Sequence, residues 1–427
     1  MTLENYQAQL AQNLPQTDLP WLADLRQGAA DRFASIGLPD RKVEAWRYTN
    51  LKPIQARLFE VGPFEADTFQ ADRVRAGDTT PALLSDSHRM VFSDGLLIAG
   101  AQDLPDGVSL KGMAQVLAED PEILTDHKQG IGAIRDLPLP TLNRALSRDG
   151  YVLVLEPGVI VAQAIEILFQ SSTGAAYPRN LILAGAGAQV SVVEHYLGTS
   201  EDDYLVNGVT EVHAATGAHI KRYKIQRDGP GASHIATLAG QLEADARFEN
   251  FDLNLGAKLA RSEIHMALQG HGADASLNGV YLLRDKQHCD NAILMDHVVG
   301  ATNSHQDYRG ILDDKAHGVF QGKITVQPDA QGIEGHQLNK TLLLSDTAEI
   351  DSKPELEIRA DDVKCSHGAT AGELDEAGLF YLRSRGIPEA EARQLLMAAF
   401  IVETLGHIDD EAIRDVMDGL VTDWMAS

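Results

Sequence analysis

The sequence predicts a mainly β protein with helical ends. It divides into an N-terminal helical and mixed region over residues 1–145, a β core over 146–362 and a C-terminal helical domain over 363–427. Three observations carry this reading. Short β-rich runs, each closed by turn-forming residues, follow one another about every 8–12 residues from Tyr151 to about residue 360. The same stretch repeats itself faintly. After Gly372 the apolar spacing changes from short-period to steps of three and four.

The first 60 or so residues read as helical, because Trp21, Leu22, Leu25, Ala29 and Phe33 recur on one face behind Pro20. Gly37, Pro39 and Asp40 break that pattern. The mixed stretch Arg41-Lys42-Val43-Glu44-Ala45-Trp46-Arg47-Tyr48-Thr49-Asn50-Leu51 then reads as a solvated helix anchored by Trp46 and Tyr48. Residues from about 60 to 145 mix turn clusters with short apolar runs and define no element.

In the β core, Tyr151 to Leu155 ends at Glu156-Pro157-Gly158, Ile165 to Phe169 at Ser171-Ser172-Thr173-Gly174, and Leu181 to Leu183 at Gly185. Ile220 to Gln226 alternates. Segments beginning at Asp245, Asp274, Lys315 and Thr347 resemble one another, at steps of 29, 41 and 32 residues. Such unequal steps argue against a propeller and suit stacked β-coils whose turns accept insertions, with a β-sandwich as the alternative.

Three helices follow. Leu374, Ala377 and Leu379 to Leu382 share a face; Gly386 and Pro388 stop one helix and start the next. The second, from Pro388 to about Leu405, carries Ala392, Leu395, Leu396, Ala399, Phe400 and Val402. The third, from Asp409, carries Ile413, Val416, Met417, Leu420, Val421 and Trp424. They are expected to form a small unit of their own, each with acidic residues at its positive end.

A net charge of −26 makes nucleic acid and anionic membrane surfaces poor partners. The longest apolar runs, such as Leu395 to Val402, fall short of the roughly 20 residues that span a bilayer. The start, Met1 to Tyr6, lacks the basic and apolar regions of an export signal, and two cysteines make no disulfide framework, so a cytoplasmic location is expected.

Residues 265 to 367 hold eight of the fifteen histidines (His265, His271, His288, His297, His305, His317, His336 and His367) and both cysteines, Cys289 and Cys365. Such clustering hints at transition-metal handling, although stacked polar faces gather histidines too. The sharpest local feature is Cys365-Ser366-His367. In an extended segment these side chains share a face, with α-carbons about 6.6 Å apart at about 3.3 Å of rise per residue. Thiolate and imidazole both bind iron or zinc, but two ligands cannot complete a tetrahedral site, and a buried structural pair is the plainer reading. Zinc signatures, a phosphate-binding loop and Gly-x-Ser-x-Gly are all absent. The acid pairs Asp313-Asp314 and Asp361-Asp362 sit where turns use Asp.

Lys353-Pro354-Glu355-Leu356-Glu357-Ile358, the segment from Asp361 to Thr370, and Leu374 through Leu379-Phe380-Tyr381-Leu382-Arg383-Ser384-Arg385-Gly386-Ile387 resemble the signature of the SufB/SufD family of iron–sulfur cluster assembly proteins. Arg41 to Thr49 resembles the N-terminal motif of the SufD branch. The resemblance implies a right-handed parallel β-helix core between helical ends, in a non-catalytic scaffold subunit. It also implies pairing with a SufB paralogue, binding of the ABC-type ATPase SufC through the C-terminal helices, and a transient iron–sulfur cluster at the subunit interface. His367 would be a ligand and Cys365 a second candidate, while Leu379, Phe380, Tyr381, Arg383 and Arg385 would face the ATPase. No tightly bound cofactor is expected in the isolated chain, and self-complementary cores would permit a homodimer. Two other readings stand beside this one. A β-helix enzyme acting on polysaccharide would carry similar coils and clustered acids; a passive assembly subunit would hold no metal.

Overall fold

The computed structural model of the chain describes residues 3–60, 80–127 and 130–426. Its centre is a parallel β-solenoid of about 8 turns, built from two sheets of ten strands each. Each coil contributes one strand to each sheet. The register is regular: Leu259 pairs with His288, and His288 with His317. Coils turn on residues that accept a left-handed backbone, among them Asp245, Asp285 and Asp314, with φ of 56°, 55° and 52°. Asp tolerates that region because its short side chain bonds locally to the backbone.

The repeat visible in the sequence is now explained. Asp274 lies in the first sheet, in register with Arg247, whereas His317 and Glu349 pair in the second. The 41-residue step is therefore a jump from one sheet to the other. Within a sheet, the coil length stays near the 29 residues that separate His288 from His317.

Inward side chains close the solenoid. Val192, Ile220, Phe248 and Leu277 from one sheet meet Val206, Leu238, Ile264 and Phe320 from the other. Near the N-terminal end Phe92, Phe169 and Tyr196 stack in a column, with centroid separations of 5.0 and 4.7 Å.

Both outer faces are covered by helices. We number these α1 (Leu3–Asn13), α2 (Pro20–Ile36), α3 (Met113–Glu119), α4 (Pro138–Leu146), α5 (Glu376–Ser384), α6 (Glu389–Leu405) and α7 (Glu411–Ala426). Phe33 of α2 and Leu142 of α4 share a core with Leu205, Ile235 and Leu259 on the outside of the second sheet. Met397 and Ile401 of α6, with Met417 and Val421 of α7, pack on Tyr223, Phe251, Val280 and Ile311 of the first. Helices α6 and α7 thus share a core with the solenoid, because their apolar stripes are matched by outward apolar residues of the strands. No described helix is long and apolar enough to cross a membrane.

The stretch expected to be a solvated helix at Arg41–Leu51 is a single 3₁₀ turn, Glu44–Trp46, laid on the second sheet. Trp46 is buried beneath the Arg261 guanidinium, 4.0 Å from its ring centre. Thr49 donates to Asp290 at 2.5 Å and meets His288 Nε2 at 2.8 Å. Glu44 reaches Lys353 at 2.6 Å, tying this motif to the last coil.

Candidate functional site

The solenoid ends on two edge strands, each paired on one side only. Glu349–Ile358 is the edge of one sheet and Val363–Gly372 the edge of the other. In the first, Glu349 and Arg359 donate backbone N–H groups to Ala316 and Val326 of the preceding coil. By the alternation of a strand, the even-numbered residues between them turn their backbone groups to the open side. Pro354, in the middle, has no N–H to offer there. The outward side chains form a charged row in which Lys353 meets Glu355 at 3.0 Å and Lys323 meets Glu357 at 2.6 Å.

Cys365 and His367 lie on the second edge strand, in register with Gly335 and Gln337. Both side chains point toward the solenoid interior, at the end where no further coil covers them. Cys365 is half-buried against the apolar core, while His367 is exposed. Burial raises the Cys365 thiol above its usual range. The two side chains share a face, as their spacing predicts, and the pair sits at an open mouth.

The other cysteine is differently placed. Cys289 points into the sealed interior, where burial pushes its thiol up to about 12. The histidines do not gather at the mouth either, although His288 and His317 lie ring against ring at 4.8 Å. His297 is enclosed between Thr302 at 2.7 Å and Ser304 at 2.9 Å; His317 meets Asp351 at 2.8 Å on the outer face; His336 meets Ser366 at 2.7 Å. Among the described residues no three His, Cys, Asp or Glu side chains are grouped to hold a metal ion. Among the described residues, none joins Cys365 and His367 to complete a site.

The α5 residues stand apart from that mouth. Phe380 and Tyr381 are 75% and 56% exposed, and no residue of α5 is buried. Leu379 is half-buried. Arg385 stacks on Tyr381 at 5.1 Å and Arg383 pairs with Glu389 at 3.2 Å, which holds the helix against α6. Leu395 and Val402 of α6 extend the exposed apolar surface.

One buried cluster is not legible from the residues. Inside the solenoid Arg222 binds Glu194 at 2.7 and 3.0 Å and Asn250 at 2.7 Å, and lies 3.4 Å from Asp252. Tyr151 and Tyr196 also donate to Glu194. Burial opposes ionisation of Glu194, but the adjacent guanidinium outweighs it and holds the carboxyl below its usual range. Lys224, next inward on the same strand, donates to Ser262 at 2.9 Å. Ile220 to Gln226 alternates, which leaves open which face is inside. In fact Tyr223 and Ile225 face out, under the C-terminal helices, so both faces are buried and polarity cannot say which is inside.

Comparison with known proteins adds an independent line. Residues 167–400 match the model of the SUF system FeS cluster assembly, SufBD core domain, and residues 2–167 that of the SufBD protein N-terminal region. An iron–sulfur cluster assembly SufBD family protein of Synechocystis sp. is 33% identical over 91% of this chain and 87% of its own length. The iron–sulfur cluster assembly protein SufD of Escherichia coli is 31% identical over 88% of this chain and 87% of its own.

Proposed function

The chain belongs to the SufB/SufD family of iron–sulfur cluster assembly proteins and is SufD-like, and from that premise we propose that it is a scaffold supplying half of a cluster-building site. The observation that carries this reading is the position of Cys365 and His367: side by side, incomplete, at an unpaired end of the solenoid. A SufB paralogue joining these edge strands would complete the ladders and bring the missing ligands. The nascent cluster is cargo, held between two chains and passed on.

In this reading His367 is the firmer ligand, because it is exposed. Cys365 would have to lose its proton, which its half-buried position resists until a metal ion or partner charge arrives. The apolar surface of α5 and α6 would receive the ATPase SufC. Motion of that ATPase would reach the cluster site through α6, which Glu403 fixes to Arg309 of the first sheet at 2.5 Å, on a strand separated from the open edge by one other. The scaffold needs no catalytic group of its own. Such coupling requires the ATPase to favour one arrangement of the scaffold.

The test is anaerobic co-purification with the SufB paralogue and SufC, followed by iron and sulfide measurement. His367→Ala should keep both partners and lose most of the bound cluster. An unchanged iron and sulfide yield would remove His367 from the site; a normal complex with no iron dependence on either residue would leave a passive assembly subunit.

A further inference from the structure

Residues 41–49 cross the outside of the second sheet as a strap. Trp46 lies under Arg261 of strand Leu259–Leu268, Thr49 donates to Asp290 of His288–His297, the Ala45 carbonyl accepts from Gln321 of His317–Val326 at 3.3 Å, and Glu44 meets Lys353 of Glu349–Ile358 at 2.6 Å. These are four successive strands of the sheet, and the last is its open edge. The strap therefore sets the residues just before Glu44 beside the place where a further strand would add.

Charge sets this spot apart. Residues 41–47 hold Arg41, Lys42 and Arg47 against a single acid, Glu44, in a chain whose acids outnumber its bases by 62 to 36. Glu44 is already engaged by Lys353, whose ammonium holds the carboxyl below its usual range. All three cations are exposed, and among the described residues no carboxylate comes within salt-bridge distance of any of them.

Order is the second, independent feature. Asp40 accepts the N–H of Lys42 through its side chain at 2.8 Å and that of Val43 through its carbonyl at 3.0 Å, while Arg41 donates to the carbonyl of Arg47 at 2.9 Å. The turn is thus fixed before anything binds. Val43 is nevertheless 47% exposed, an apolar side chain held out among cations. A surface ordered in advance loses little freedom on association.

We propose that residues 41–43, with Arg47, form a docking point for an acidic segment of the chain that joins the neighbouring edge strand. This rests on the reading of that edge as the place where a partner chain adds. The three cations meet carboxylates of the segment and Val43 an apolar side chain between them. With a net charge of −26, the whole chain repels nucleic acid and anionic membranes, which leaves an acidic protein segment as the occupant. Photo-crosslinking of the full chain with the SufB paralogue tests this, with benzoylphenylalanine replacing either Val43 or Ile358, the latter 42% exposed on the edge strand itself. Both positions should crosslink the paralogue, and the fragment caught at position 43 should carry several Asp or Glu residues. Lys42→Glu combined with Arg47→Glu should melt with the unaltered chain, since neither side chain touches the core. It should slow association at least about tenfold at low salt and change dissociation little, as loss of rim charge does. Given a crosslink from position 358, silence at 43, a caught fragment without acids, a second copy of this chain caught there instead, or association unslowed by the charge reversal overturns the docking point alone. Silence at both positions overturns the edge reading and the docking point with it.

Discussion

Cys289 and Cys365 carry the same thiol in two surroundings, and their chemistry should separate accordingly. Cys289 is sealed in the solenoid with its thiol pushed up to about 12, whereas Cys365 stands at the mouth. A thiol reagent at pH 8 should therefore label one cysteine in the native chain, more slowly than a free cysteine and faster as pH rises. Denaturation should release the second. Two rapidly reacting native thiols would contradict this placement. The buried histidines make a second prediction. Burial lowers His195, His213, His288 and His297 to about 4. Each unfolded histidine binds a proton near pH 6.5, so as pH falls from about 6.5 to 4 the unfolded chain gains protons that the folded chain refuses. Stability is lost over that window. For one such histidine the loss approaches about 3 kcal/mol. Urea midpoints should fall steeply between pH 7 and pH 5, and His297→Gln, neutral throughout, should flatten the slope by about one proton.

At the scale of elements, the N-terminal motif and α5 make contrasting predictions. Trp46→Ala removes the ring under Arg261 and should cost about 3–5 kcal/mol, as large core truncations do, with a lower melting temperature as the readout. Phe380→Glu touches no core. It should leave the melting temperature unchanged and weaken co-purification with SufC, and retained binding would take α5 out of that interface. Helices were legible where a stripe of apolar residues met solvent on the other side, as in α2 and α7. The turn at Glu44–Trp46 was not, since Trp46 is held by Arg261 from a strand more than 200 residues away and no local pattern encodes that contact. Cys365 and His367 were legible as a shared-face pair. Their place at an open end was not, because where the coils stop is a property of the stack and not of the segment.

At the scale of the whole molecule, the solenoid is a stack in which each coil is capped by the next. This makes the interior charges costly to disturb. Arg222→Met would leave Glu194 and Asp252 in a sealed interior without their cation, and should destabilise the chain by about 3–5 kcal/mol, measured as a shift in the urea midpoint. The charges themselves were visible in the sequence, but only the closed stack turns Arg222 inward and Tyr223 outward.

The last coil has no such cap, which gives Pro354 a second importance. A bare pair of strand edges is a template on which identical chains can keep adding, and crowded solutions favour such growth. Pro354 removes one rung at the centre of an exposed edge, and the row of Lys353, Glu355 and Glu357 beside it charges the rest. An indiscriminate newcomer meets a broken ladder; only a strand shaped around the gap can seat. Pro354→Val should then turn a dispersed chain into one that thickens into fibrils at high concentration, visible as rising light scattering on storage.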